Sequence, residues 1–193
     1  MRLRSRFTHH VSRRGRHGNS VRAKEFGVKV GVLTISDRGA AGEYVDQSGP
    51  LIRQIILSRM VGWSISHYSV IPDDFDAIVH TLIAWCDQDV NLILTSGGTG
   101  FAPRDITPEA TRQVIVREAS GIAEALRAAS LKITQHAMLS RAVAGIRGQT
   151  LIVNMPGSPK AVRENLDVLL PILPHALDLL TDKPGTESQH RAI

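Results

Sequence analysis

Val90-Asn91-Leu92-Ile93-Leu94-Thr95-Ser96-Gly97-Gly98-Thr99-Gly100 decides the fold. Its first six residues form a short aliphatic run that reads as a strand buried on both faces. Three glycines in four residues follow at once, so the backbone there can approach a ligand closely and point its N–H groups at it. The Ser96 and Thr99 hydroxyls add donors suited to phosphate oxygens. No Gly-Lys-Ser/Thr follows, so this is not a Walker A loop, and the spacing is not that of a dinucleotide fold. The alternative is a tight glycine turn with no ligand.

Outward from this stretch the same pattern recurs. Val28–Ile35 reads as a buried strand. Ser48-Gly49-Pro50 opens a helix with Leu51, Ile52, Ile55, Ile56 and Met60 at helical spacing, and Gly62 stops it. Trp63–Ile71 reads as a second strand. Asp73 or Asp74 caps a helix whose apolar face holds Phe75, Ile78, Val79, Leu82, Ile83 and Cys86. Thr107 is read as an N-cap with Pro108 at N1. Residues 118–146 suggest helical pieces, and Gln149–Val153 suggests a fourth strand. Ser158-Pro159 opens a final helix towards Leu180, which Pro171 and Pro174 should kink or split. This alternation predicts an α/β fold, a mostly parallel sheet sandwiched by helices. Its strand-to-helix loops should gather at the carboxyl ends of the strands, where such sheets bind ligands.

Composition bounds the rest. The chain has 193 residues, 42% hydrophobic and 21% charged, which suits one globular domain. No apolar run reaches the roughly 18–20 residues that a membrane span needs. The one cysteine, Cys86, rules out a disulfide scaffold and reads as a core residue. The net charge of +5 is uneven. Residues 1–24 carry eight Lys or Arg and no acid, leaving 15 basic and 18 acidic residues, a net of −3, over residues 25–193. A nucleic-acid-binding fold is therefore unsupported, apart from weak tethering through the tail. No apolar segment follows Arg13-Arg14, as a secretory signal would require, so residues 1–26 are read as a basic, disordered extension. The folded domain is expected over residues 27–183, with a frayed tail at 184–193.

Three further loops carry candidate chemistry. In Arg104-Asp105-Ile106-Thr107-Pro108-Glu109, Asp105 has no capping duty. An acid beside a phosphate-cradling loop is unfavourable unless a cation such as Mg²⁺ sits there, or unless it pairs with Arg104. Whichever of Asp73 and Asp74 does not cap is free to face the same edge, giving a pair of acids for a metal or general-base role. Ser36–Gln47 is long for a strand-to-helix loop, which points to binding. In Asn154-Met155-Pro156-Gly157-Ser158-Pro159, Ser158 is an N-cap at a helix start that also attracts anions. The eight histidines show no metal spacing, and nothing in the spacing ranks Arg38, Arg104, Arg141, Arg147 and Lys160 as phosphate partners.

Taken in order, Leu33-Thr34-Ile35-Ser36-Asp37-Arg38 with Asp46, Ile71-Pro72-Asp73, the Thr95–Gly100 loop with Arg104–Ala110, Leu139-Ser140-Arg141, and Asn154–Lys160 resemble molybdopterin adenylyltransferases of the MogA type. The G domains of plant and animal fusion proteins belong to the same group. The resemblance covers about residues 27–181. It implies the molybdenum cofactor biosynthesis protein-like fold in a cytoplasmic homotrimer, and Mg²⁺-dependent transfer of AMP from ATP to molybdopterin with release of pyrophosphate. It also implies hand-over of the product to a molybdenum-insertion enzyme. On this resemblance Asp73 and Asp105 are the catalytic, Mg²⁺-holding acids. Gly97, Gly98, Thr99 and Gly100, with Ser96, hold nucleotide phosphates. Ser36 and Asp37 hold polar groups of the substrate, and Pro156, Gly157 and Ser158 take the pterin or its phosphate. The intact Asp105-Ile106-Thr107-Pro108 run favours the active branch of the family. Two rivals share the fold: a molybdopterin-binding or scaffold module without turnover, and a nucleotide pyrophosphatase of the competence-damage type.

Overall fold

A computed structural model describes residues 27–181 of the chain; the basic extension and the C-terminal tail expected from the sequence lie outside the described residues. Six strands form one sheet in the order β2-β1-β3-β6-β5-β4. They are β1 (Lys29–Ile35), β2 (Ser64–Ile71), β3 (Leu92–Ser96), β4 (Arg117–Glu118), β5 (Ala144–Arg147) and β6 (Thr150–Met155). The first four strands in the spatial order run parallel, as the sequence predicts. The other two fall where the sequence suggests only helical pieces. β5 pairs antiparallel with β6, and β4 pairs antiparallel with β5. At four and two residues they are too short for a hydrophobic period to register.

Side chains alternate across the sheet, so each buried strand feeds two cores. Leu92 and Leu94 join Val30, Val32, Leu151 and Val153 on one face; Ile93 joins Leu33, Ile35 and Ile152 on the other. The first face is covered by α2 (Ser48–Arg59), α6 (Pro159–Leu169) and α7 (Leu173–Leu180), through Ile52, Ile56, Val162, Leu166, Leu173 and Leu177. The second is covered by α3 (Phe75–Cys86) and α4 (Thr107–Val114), through Ile78, Leu82, Ala110 and Val114. Cys86 packs beside this second core, half-buried, and burial pushes its thiol up. A single turn, α1 (Asp37–Ala40), follows β1, and α5 (Ser120–Leu131) follows β4. β2 is one of the two edge strands and stays half-exposed, unlike the fully buried β3 and β6.

The caps refine the reading of the helix starts. Asp74 caps α3, accepting from the Ala77 amide at 2.8 Å, which leaves Asp73 free of that duty. Ser158 caps α6 and accepts from the Ala161 amide at 3.2 Å. Asp46 caps α2 from outside, its Oδ1 accepting from the amides of Ser48 (2.9 Å) and Gly49 (3.2 Å). Thr107 is not an N-cap: Ile106 holds that place and Thr107 is the first helical residue. Its hydroxyl instead donates to the Gly97 carbonyl at 2.9 Å, an acceptor ten residues back that outcompetes local capping. Pro171 and Pro174 split the last helix as expected, with a 3₁₀ turn at Leu170–Ile172 between α6 and α7.

Candidate active site

The carboxyl ends of β1, β3 and β6 lie side by side, because Thr34 pairs with Ser96 and Ser96 with Met155. The glycine loop leaves β3 between the other two. Gly97 has φ +104° and Gly98 φ +61°, conformations that favour glycine. A Cβ on Gly97 would strike the Ile35 carbonyl. One on Gly98 would strike the Thr107 hydroxyl and lie 2.9 Å from Asp73 Oδ1. Gly157 packs against Gly97 with no room to spare; a Cβ there would lie 3.3 Å from the Gly97 Cα.

The loop's carbonyls are all taken from behind. Gly97 O accepts from the Thr107 hydroxyl, and Gly98 O from the Thr107 amide (3.1 Å). Thr99 O accepts from the Arg141 amide (2.9 Å), and Gly100 O from Arg141 Nε (2.6 Å). In a trans peptide the N–H points opposite to the carbonyl it is bonded to. The amides of Gly98, Thr99, Gly100 and Phe101 are therefore turned away from Thr107 and Arg141. Among the described residues none of these four amides has a hydrogen-bond acceptor. Successive free amides on a glycine turn form a concavity for anions.

Three acids stand around this loop. Asp37 and Asp73 exchange bonds: the Asp37 amide donates to Asp73 Oδ2 and the Asp73 amide to Asp37 Oδ1, both at 3.0 Å. Arg104 grips Asp37 with both arms, Nε at 2.9 Å and Nη2 at 2.8 Å, and this holds the Asp37 carboxyl below the usual range. Burial pushes the Asp73 carboxyl up; the Asp37 amide opposes this, and the charges of Asp37 and Asp105 reinforce it. The Asp105 carboxylate accepts from the Ala102 amide at 2.8 Å, folding the loop on itself. Arg104 thus pairs with Asp37 and not with its neighbour Asp105. Among the described residues no group of three or more His, Cys, Asp or Glu is placed to hold a metal.

Two cavities flank the loop. One, of about 370 Å³, is lined by Ser36, Asp46, Ser96, Gly97, Gly157 and Ser158 among others. The second, of about 260 Å³ and mostly apolar, is lined by Thr99, Gly100, His136, Ser140, Pro156 and Asn165 among others. Neither wall includes Asp37, Asp73 or Asp105; Asp105 lines a third cavity of about 460 Å³, with Phe101, Glu109 and Arg141 among others. The Ser96 hydroxyl is fully buried and donates to the Pro156 carbonyl at 3.0 Å, so it ties β3 to the next loop. The Ser36 hydroxyl caps α1, accepting from the Gly39 amide at 3.2 Å. Asp46 Oδ2 accepts from the hydroxyls of Thr34 (2.7 Å) and Tyr68 (2.8 Å). Burial and that last bond push the Tyr68 phenol up to about 12. Asn154, buried, joins β6 to β3, α4 and the strand arm through Thr95, Thr111 and Val143.

Thr107, Arg141 and Asn154 carry the site's shape, and sequence reasoning gave them no such role. Their partners lie 10 to 59 residues away, beyond the reach of any local spacing.

The class these features define is an α/β domain that gathers free backbone amides and acids at the ends of its parallel strands. Residues 31–175 match the family described as "Probable molybdopterin binding domain", and the chain belongs to that family. The molybdopterin adenylyltransferase of Helicobacter pylori strain J99 is 42% identical over 154 residues, which cover 79% of this chain and 88% of that protein. The gephyrin of Dictyostelium discoideum is 51% identical over 173 residues, 84% of this chain but only 24% of gephyrin, so the chain spans about a quarter of that relative. Among solved structures, the molybdopterin biosynthesis enzyme MoaB of Thermus thermophilus superposes with a TM-score of 0.76 at 49% identity, covering 81% of this chain and 98% of that one.

Proposed function

We propose that the protein is a molybdopterin adenylyltransferase of molybdenum cofactor biosynthesis, transferring AMP from ATP to the terminal phosphate of molybdopterin. An oxygen of that phosphate bonds to the α-phosphorus of ATP, and the bond from this phosphorus to the bridging oxygen of pyrophosphate breaks. The single observation that carries the reading is the glycine loop: four consecutive carbonyls occupied from behind, four amides turned the other way, and a cavity on each side. A reaction between two phosphorylated molecules needs two sites that meet at a phosphate cradle.

The attacking group is already anionic, so no strong base is required, and catalysis is alignment plus charge neutralisation. The amides from Gly98 to Phe101 hold nucleotide phosphates. Thr99, almost buried at the rim of the second cavity, adds its hydroxyl. Ser36, Gly157 and Ser158 meet a substrate in the first cavity, and Pro156 meets one in the second. Asp37 acts through Arg104 and Asp73, which occupy its oxygens. Asp73 and Asp105 fit Mg²⁺, which takes one or two carboxylates and fills its remaining positions with phosphates and waters. Burial raises Asp73 first and the charges of Asp37 and Asp105 add to it; a cation there would favour the charged carboxylate. Bound, Mg²⁺ would supply neutralisation of phosphate charge. The homotrimer, the cytoplasmic setting and hand-over to a molybdenum-insertion enzyme rest on the family resemblance; no described helix is long and apolar enough to cross a membrane.

ATP labelled at the α-phosphate tests the chemistry. The label should move onto molybdopterin, while a γ-label should leave in pyrophosphate. Label released as free AMP at the same rate without molybdopterin would mark a pyrophosphatase; binding of both molecules with no transfer would mark a scaffold.

A further inference from the structure

We infer that Arg141 is the positioning residue of the phosphate cradle, the side chain that sets the path of the Gly97–Asp105 loop without itself touching a reactant. This rests on the adenylyl-transfer reading above. Arg141 Nε donates to the Gly100 carbonyl at 2.6 Å, Nη2 donates to the Asp105 carbonyl, and the Arg141 amide donates to the Thr99 carbonyl at 2.9 Å. One residue thereby spans the loop from its entry to the acid at its exit. Nη1 pairs with Glu109 Oε1 at 2.5 Å, which adds the first turn of α4. All four partners belong to the protein: the fork's three nitrogens hold two backbone carbonyls and the Glu109 carboxylate, and the Arg141 amide holds the third carbonyl.

The support behind Arg141 is stiff. Arg127 Nη1 donates to the Ala142 carbonyl at 2.7 Å. The Val143 amide donates to Asn154 Oδ1 at 3.3 Å, and the Asn154 amide donates to the Val143 carbonyl at 3.0 Å. Ala144 then enters β5 opposite Val153. The antiparallel arm thus runs from the buried sheet straight to the cradle and ends on this guanidinium. Lysine cannot replace it: an ammonium is a point donor and cannot reach three acceptors in the geometry of a planar fork. Without the fork, the carbonyls of Gly100 and Asp105 lose their donor, the peptide planes are free to rotate, and the amides facing away lose their aim.

The test uses the full chain and the variants Arg141→Ala, Arg141→Lys and, as a control, Arg112→Ala, whose side chain lines the same cleft and, among the described residues, pairs with Glu118 and Glu109. The first readout is amide exchange by NMR at Ala102, Asp105 and Thr107, whose N–H groups bond within the loop. In Arg141→Ala and Arg141→Lys their exchange should accelerate about tenfold or more while the Leu151 amide in the core stays protected. The second readout is turnover. kcat should fall about 100-fold, the scale of a small misplacement of reacting groups, with the molybdopterin KM nearly unchanged. Methylguanidine should restore part of the rate to Arg141→Ala, and Arg112→Ala should match wild type.

Unchanged exchange at the three loop amides, or equal acceleration at Leu151, would overturn the inference; the latter would make Arg141 a general stability residue. A wild type that never turns over would refute adenylyl transfer, and the exchange readout would still judge Arg141.

Discussion

The two halves of the sheet meet the same loop in different ways. From the parallel half, Asp37 holds Arg104 in an ion pair whose side chains are 43% and 66% exposed. From the antiparallel arm, Arg141, 32% exposed, holds three backbone carbonyls and Glu109. An exposed ion pair in water contributes little and weakens with salt. A fork that satisfies several carbonyls at once is charge-assisted and fixes geometry. The parallel half therefore supplies the acids and the glycines, and the small arm keeps them in register.

That division can be attacked at graded strength. Gly97→Ala should cost most, because φ +104° and the Ile35 carbonyl both exclude a Cβ. Strain plus a backbone clash should remove about 3–5 kcal/mol of stability, read as a fall in the urea midpoint, with turnover lost even well below that midpoint. Asn154→Ala comes next. It strips partners from the Thr95 and Thr111 hydroxyls and from the Val143 amide, at roughly 2–3 kcal/mol. Exchange should rise at Val143 more than at the β1 amides, which pair with β2 and β3. Equal loosening on both sides would deny that the arm is a separate unit. Arg104→Gln should matter least for the fold, with a melting temperature close to wild type at all salt concentrations. A large loss of stability there would erase the contrast between the two arginines.

The same division separates what was readable from the sequence. The parallel strands, their buried faces and the helix starts at Ser48 and Ser158 are encoded within a few residues of each other, and they were found. The glycine loop announced itself by composition. Between Asp73 and Asp74 the sequence could not choose; the geometry of one turn does. Local rules score nearby amides and cannot see the Gly97 carbonyl, so they make Thr107 a cap. β4 and β5 escaped because two and four residues carry no period. Arg141 stood in an unranked group of cations, since its worth depends on partners brought near by topology alone.

The most direct measurement is pyrophosphate release from ATP and Mg²⁺, with and without molybdopterin, by wild type and by Asp105→Ala. The account predicts release from wild type only when molybdopterin is present, and none beyond background from the variant, which should still fold and still bind molybdopterin. Release that ignores molybdopterin, or that survives undiminished in Asp105→Ala, would contradict it.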